Sequence, residues 1–289
     1  MATLFTCLFV AALHGDALLV STDHLAGVSD ALVVDARPLE AYAAGHIPGA
    51  AHLDVASLSE TRDGVAGLLK PPAQVREALG AAGIDPAKHI VVYCGLDEAD
   101  EFKDAARLFW ILEYVGYERV SILDGGFAKW KAEGWTVEEG APRTAAIEVP
   151  KLTLHPEHLA TLKQVEAAIK DGKAQVADLR SAEYYRGEKT ADIVKEPGHI
   201  PSANNLPAAA FLSDTDRTIK PVGDLEALVE SDGIQKDRAV ITYCNSGRAA
   251  SVGYFVMRLV GRDNVSMYDG SMAEWTAKGK KTVSDGGGK

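Results

Sequence analysis

The sequence predicts an α/β protein of two tandem domains, each a mostly parallel sheet flanked by helices. Three observations carry this expectation. The chain repeats itself, strand patterns alternate with helical ones inside each copy, and 289 residues is about two ordinary domains.

The repeat sets the architecture. Residues 32–51 (LVVDARPLEAYAAGHIPGAA) and 176–203 (VADLRSAEYYRGEKTADIVKEPGHIPSA) share an apolar strand, Asp-x-Arg, an acidic residue with Tyr, and Gly-His-Ile-Pro. Asp35, Arg37, Glu40, Tyr42, His46 and Pro48 match Asp178, Arg180, Glu183, Tyr185, His199 and Pro201. Next, the run Ile90–Cys94 matches Val240–Cys244, each a short strand that ends at a loop before an apolar helical pattern. Val120–Gly125 then matches Val265–Gly270, and Trp130 and Trp275 follow at the same spacing. Helical patterns at Pro72–Ala82 and Asp224–Ser231 separate the strands. Residues 18–140 form the first domain, 141–152 a linker and 153–283 the second domain, with 284–289 a disordered tail. Leu152-Thr153-Leu154 reads as the opening strand of copy two.

Composition excludes several functions. Apolar residues at 47% and charged residues at 25% are those of a soluble globular chain. A net charge of −11 argues against nucleic acid and anionic membranes as partners, so any anion site must be made locally. Three distant cysteines, Cys7, Cys94 and Cys244, make neither a disulfide framework nor a zinc motif. No cofactor or metal is expected, and the chain is read as a monomer. Residues 1–17 are a candidate signal peptide: the apolar run Leu4–Leu13 precedes small residues, although no basic residue comes before it. Export to a periplasmic location is the corresponding expectation, with the cytoplasm as the alternative.

Strand–Asp-x-Arg, Gly-His-Ile-Pro, strand–Tyr-Cys–loop–helix and Asp-Gly-x-x-x-x-Trp, occurring twice, resemble the rhodanese domain. The resemblance covers about Leu18 to Lys281. It implies a tandem rhodanese of the thiosulfate/3-mercaptopyruvate sulfurtransferase family, active in its C-terminal half, with sulfane sulfur carried as a cysteine persulfide.

The loop chemistry points the same way. Cys244 ends a strand, and Asn245, Ser246, Gly247, Arg248 and Ala249 lead into a helix. Small residues there let backbone N–H groups gather around the sulfur, and the helix N-terminus and Arg248 add positive charge. All three favour the nucleophilic thiolate. Phosphatase chemistry would need an arginine six residues past the cysteine, where this chain has Ala250. Arg186 is the second candidate for donor contact. Asp178, Arg180 and His199 read as structural. Cys94 is followed by a longer loop with five acidic residues, which disfavours a thiolate, so the first domain is expected to be inactive. The basic Arg248 suggests thiosulfate as donor, with cyanide or a thiol as acceptor. Use of 3-mercaptopyruvate, or a non-catalytic carrier or regulatory module, are the alternatives.

Overall fold

The computed structural model describes residues 18–28 and 30–284. The candidate signal peptide, with Cys7, and all of the tail but Ser284 lie outside the described residues.

The first half runs β1 (Leu19–Val20), α1 (Thr22–Gly27), β2 (Ala31–Asp35), α2 (Leu39–Ala44), β3 (Ala51–His52), a hairpin of β4 (Ser59–Arg62) and β5 (Val65–Leu69), α3 (Pro72–Ala81), β6 (His89–Tyr93), α4 (Phe102–Tyr114), β7 (Val120–Leu123) and α5 (Gly126–Ala132). The second half runs β8 (Leu159–Ala160), α6 (Leu162–Asp171), β9 (Ala174–Asp178), α7 (Ala182–Tyr185), β10 (Asn204–Asn205), α8 (Val222–Ser231), β11 (Ala239–Tyr243), α9 (Arg248–Leu259), β12 (Val265–Tyr268) and α10 (Ser271–Ala277). Both five-stranded sheets are parallel, in the orders β1-β7-β6-β2-β3 and β8-β12-β11-β9-β10. The two orders are the same once equivalent strands are matched.

The opening strand of the second sheet is Leu159–Ala160, not Leu152–Leu154. Local chemistry explains the difference. Ser21 caps α1, accepting from the His24 N–H. Thr161 caps α6 in the same way with Gln164, so the strand–cap–helix unit begins at Leu159. Residues 141–155 carry no helix or strand. They are held to the first half, with the Ile147 N–H donating to Gly80 O at 2.9 Å and the His155 N–H to Tyr114 O at 2.8 Å.

The two Gly-His-Ile-Pro turns are built alike. His46 stacks on Tyr42 and His199 on Tyr185, with centroids 3.8 and 3.7 Å apart, and each Nδ1 faces the same tyrosine's carbonyl. Asp35 and Asp178 are fully buried, and each is forked by its own arginine, Arg37 or Arg180. These residues fix backbone, as their positions in the sequence suggest.

The core continues across the halves. Helix α4 packs against α9, with Phe102 and Phe109 set edge-on to Phe255 at 5.8 and 5.0 Å. Trp110, Phe109, Tyr254, Phe255 and Met257 are all completely buried. Both helices are apolar over more than one face because each covers its own sheet and the other helix.

Candidate active site

Strand β11 is a buried, β-branched run that stops at Tyr243. Cys244 follows, and Gly247 takes φ 82° to turn the chain into α9. A Cβ at Gly247 would fall 2.8 Å from Arg107 Nη1 and Asp269 Oδ1, so glycine is needed for space as well as backbone. The N–H groups of Arg248, Ala249 and Ala250 open the helix and have no intrahelical acceptor. They form the positive end of the dipole four residues beyond the cysteine.

Two of the loop amides are engaged elsewhere. The Cys244 and Gly247 N–H groups do not serve the sulfur, since both donate to Ser271 Oγ at 3.1 Å. The Ser271 hydroxyl in turn donates to Tyr268 O at 2.9 Å. The Met272 N–H donates to Cys244 O and the Ala273 N–H to Asn245 O, each at 3.0 Å. The N-terminus of α10 therefore holds the loop from behind. The first half repeats these two bonds as Phe127 to Cys94 and Ala128 to Gly95. It has Gly126 in place of Ser271 and so lacks the hydroxyl. Sequence comparison of the two copies carries this signal, which the reading of the cysteine loop alone missed.

A cavity of about 480 Å³ lies against Cys244. Its walls are Leu179, Arg180, Ser181, Tyr184, Pro207, Ala208 and Ala209, with Asn245, Ser246, Arg248 and Ala249 of the loop. Asp100 and Lys103 reach in from the first half. A larger cavity of about 620 Å³ sits at the β1 edge, and neither Cys94 nor Cys244 lines it. Chemistry, rather than size, picks out the site.

Arg248 lines the cavity but is paired across the halves with Asp104. Burial lowers its pKa from the ordinary value, with Asp100 and Asp54 opposing. Arg180 lines the same cavity. Burial lowers the Arg180 pKa, but the bonds and charge of Asp178 outweigh it, and Tyr243 and Cys244 add to the rise. Arg180 also donates to Asn245 Oδ1 at 3.4 Å. Its role thus extends beyond the turn. Arg186 stands outside the cavity lining and is forked onto Glu188 at 2.6 and 3.1 Å; its neighbour Tyr184 occupies the wall instead.

Cys94 is a different thiol. Both thiols are buried, at 1% and 3% exposure for Cys94 and Cys244, but only Cys244 lines the cavity; at Cys94 burial raises the pKa far above the usual range, with Glu101 adding to the rise and the Ala105 N–H opposing it. Glu98 and Glu101 cap each other's turn where the second half has its short loop.

The fold and these two cysteine loops define a class. A model of the rhodanese-like domain matches residues 22–133 and again 161–278. The chain therefore belongs to the rhodanese family, and it is a tandem-domain sulfurtransferase. It is 32% identical over 254 residues to the 3-mercaptopyruvate sulfurtransferase of Escherichia coli K12, covering 84% of this chain and 85% of that one. It is 30% identical over 249 residues to a thiosulfate sulfurtransferase of Pseudomonas aeruginosa, covering 86% and 89%. The solved structure of SseA from Escherichia coli, a 3-mercaptopyruvate sulfotransferase, superposes with a TM-score of 0.78 at 29% identity, over 88% of this chain and 98% of that one. No helix among the described residues is long and apolar enough to cross a membrane.

Proposed function

We propose that the chain moves sulfane sulfur from thiosulfate to cyanide or a thiol through a persulfide on Cys244. The Cys244 thiolate attacks the outer sulfur of thiosulfate. The S–S bond breaks, and sulfite leaves with the electron pair. The acceptor then attacks the terminal persulfide sulfur and releases the thiolate. No cofactor enters this sequence.

One observation carries the reading: Cys244 faces a cavity at the N-terminus of α9 whose side-chain charges are Arg180, Lys103, Arg248 and Asp100. Each of these cations also holds a carboxylate, Arg180 with Asp178, Lys103 with Asp100 and Arg248 with Asp104, so an anionic donor and the departing sulfite would be met by oriented guanidinium and ammonium N–H groups rather than by a surplus of charge. The N–H groups of the first turn of α9 supply donors to the persulfide anion. Asn245, Ser246 and Ala249 shape the wall, Gly247 sets the turn, and Arg186 serves at most the entrance.

A second donor remains supported by an observation. Arg248 is already engaged by Asp104, which reduces the charge available to a dianion. A monoanionic 3-mercaptopyruvate, leaving as pyruvate enolate, needs less, and relatives carry both names.

Intact mass after incubation with thiosulfate tests the intermediate. One added sulfur atom, removed by cyanide, is expected. It should be absent from Cys244→Ala and present in Cys94→Ala, which should keep at least about half the activity because burial holds its thiol protonated. Sulfur retained by Cys244→Ala would overturn the assignment. The ratio of kcat/KM for the two donors then decides between them.

A further inference from the structure

Three side chains converge on the segment joining the halves, away from the Cys244 cavity. His155, Glu157 and His158 each offer a ligating atom, and these atoms lie within 4.8 Å of one another. The short turn Pro156–His158 brings them together. His155 Nδ1 and Glu157 Oε1 are 3.0 Å apart. That is near the roughly 3.3 Å edge of a tetrahedron with metal arms of about 2.0 Å.

The surroundings of His158 decide its tautomer. The Tyr254 hydroxyl lies 2.7 Å from Glu113 Oε2 and 2.8 Å from His158 Nδ1. A phenol has one proton, and a carboxylate only accepts, so Tyr254 donates to Glu113. Its oxygen then accepts from His158 Nδ1–H, which leaves the lone pair on Nε2. Metal-binding imidazoles are commonly held this way, with the second ring nitrogen donating into a chain that ends in a carboxylate. Tyr254 is fully buried, and Glu113 is itself held by Arg258 at 3.2 Å. His158 is therefore fixed in place, while the partly exposed His155 and the exposed Glu157 leave the approach open.

We propose that His155, Glu157 and His158 bind a divalent transition metal of the zinc class. Two imidazoles and a carboxylate suit zinc and disfavour the all-oxygen preference of magnesium and calcium. Three protein ligands leave a fourth position for water. The site joins both halves: His155 N–H is bonded to Tyr114 O, Trp110 Nε1–H donates to His158 O at 3.0 Å, and Tyr254 belongs to α9. Bound metal would clamp the joining segment onto the packed pair α4 and α9.

The test is calorimetric titration of zinc chloride into the untagged full chain carrying Cys244→Ser, which removes the thiol that lines the cavity. One zinc per chain with micromolar or tighter affinity is expected. Glu157→Gln and His155→Ala alter surface side chains, and each should weaken zinc by at least ~10-fold. Tyr254→Phe touches no metal, yet releasing His158 should also cost about 10-fold. Cobalt(II) should give the intense visible absorption of a four-coordinate site, and zinc should raise the Tm of the parent chain but not of His155→Ala. Absence of zinc binding, or zinc affinity unchanged in both Glu157→Gln and His155→Ala, would overturn the site.

Discussion

Ser271 sits at φ 49°, a left-handed conformation that costs a non-glycine residue about 1–2 kcal/mol. The strain is retained beside the hydroxyl that accepts from the Cys244 and Gly247 N–H groups. Ser271→Ala keeps the strain and strands two buried donors. We expect it to cost about 2 kcal/mol or more in urea unfolding and to lower kcat/KM at least ~10-fold as the loop loosens. Ser271→Gly should cost less stability, because it relieves the backbone, while still losing activity. A Ser271→Ala enzyme with unchanged melting and kinetics would mean that the bonds from α10 suffice alone. His89 gives a residue-scale pH dependence. Burial lowers its pKa, helped by Arg119 and opposed by Asp30. The unfolded chain then binds the proton more tightly than the folded one. The stabilisation from neutral His89 is present above its ordinary value of about 6.5 and lost as pH falls through the lower folded value. The Tm of the wild type should therefore drop more steeply below about pH 6.5 than that of His89→Gln. At this scale the sequence showed the acidic residues after Cys94, of which Glu101 does raise its pKa, but the larger cause is burial, which only the fold reveals. The sequence could not place Arg248, whose partner Asp104 lies in the other half.

The β4–β5 hairpin acts as an element rather than through side chains. Gly67 in β5 has φ 85°, and a Cβ there would meet Ser246 Cβ at 2.8 Å and Ser246 O at 3.0 Å. The first half thus presses a bare backbone against the reactive loop of the second. Gly67→Ala must shift that loop, whereas Gly49→Ala at φ 72° meets nothing within 4 Å. Both should lose about 1 kcal/mol for the unfavourable backbone. Only Gly67→Ala should also lose activity, by at least ~10-fold through displacement of Ser246. Equal kinetics in the two variants would remove the hairpin from the site. The alternation of strands and helices was readable because apolar periodicity is local, and α3 and α8 begin and end within two residues of where the pattern put them. The hairpin contact was not readable. Nothing near Gly67 in the chain indicates that Ser246 will lie over it.

At the scale of the whole molecule the halves exchange equivalent bonds. The Leu69 N–H donates to Asp269 Oδ2 at 2.8 Å, and the Ile219 N–H donates to Asp124 Oδ1 at 2.8 Å. Each Asp-Gly aspartate therefore accepts from a backbone N–H of the other half, in β5 for Asp269 and in the isolated bridge of Leu212 and Ile219 for Asp124. Only Asp269 also pairs with a buried arginine, Arg107 of α4, at 2.7 Å. Arg107 is 1% exposed, so removing its counter-charge leaves a cation that cannot reach water. Asp269→Asn should cost about 3–5 kcal/mol, the scale of breaking one side of a buried pair. Asp124→Asn keeps an acceptor for the Ile219 N–H and should cost about 1 kcal/mol. The probe follows from the sequence. Of the four tryptophans, Trp110, Trp130 and Trp135 lie in the first half and Trp275 in the second. Tryptophan fluorescence thus reports mainly on the first half, and far-ultraviolet dichroism on both. If the shared α4–α9 core makes the chain one cooperative unit, Asp269→Asn will lower both urea midpoints together, although the substitution lies in the second half. A dichroism transition that moves while the fluorescence transition stays in place would show instead that the halves unfold separately.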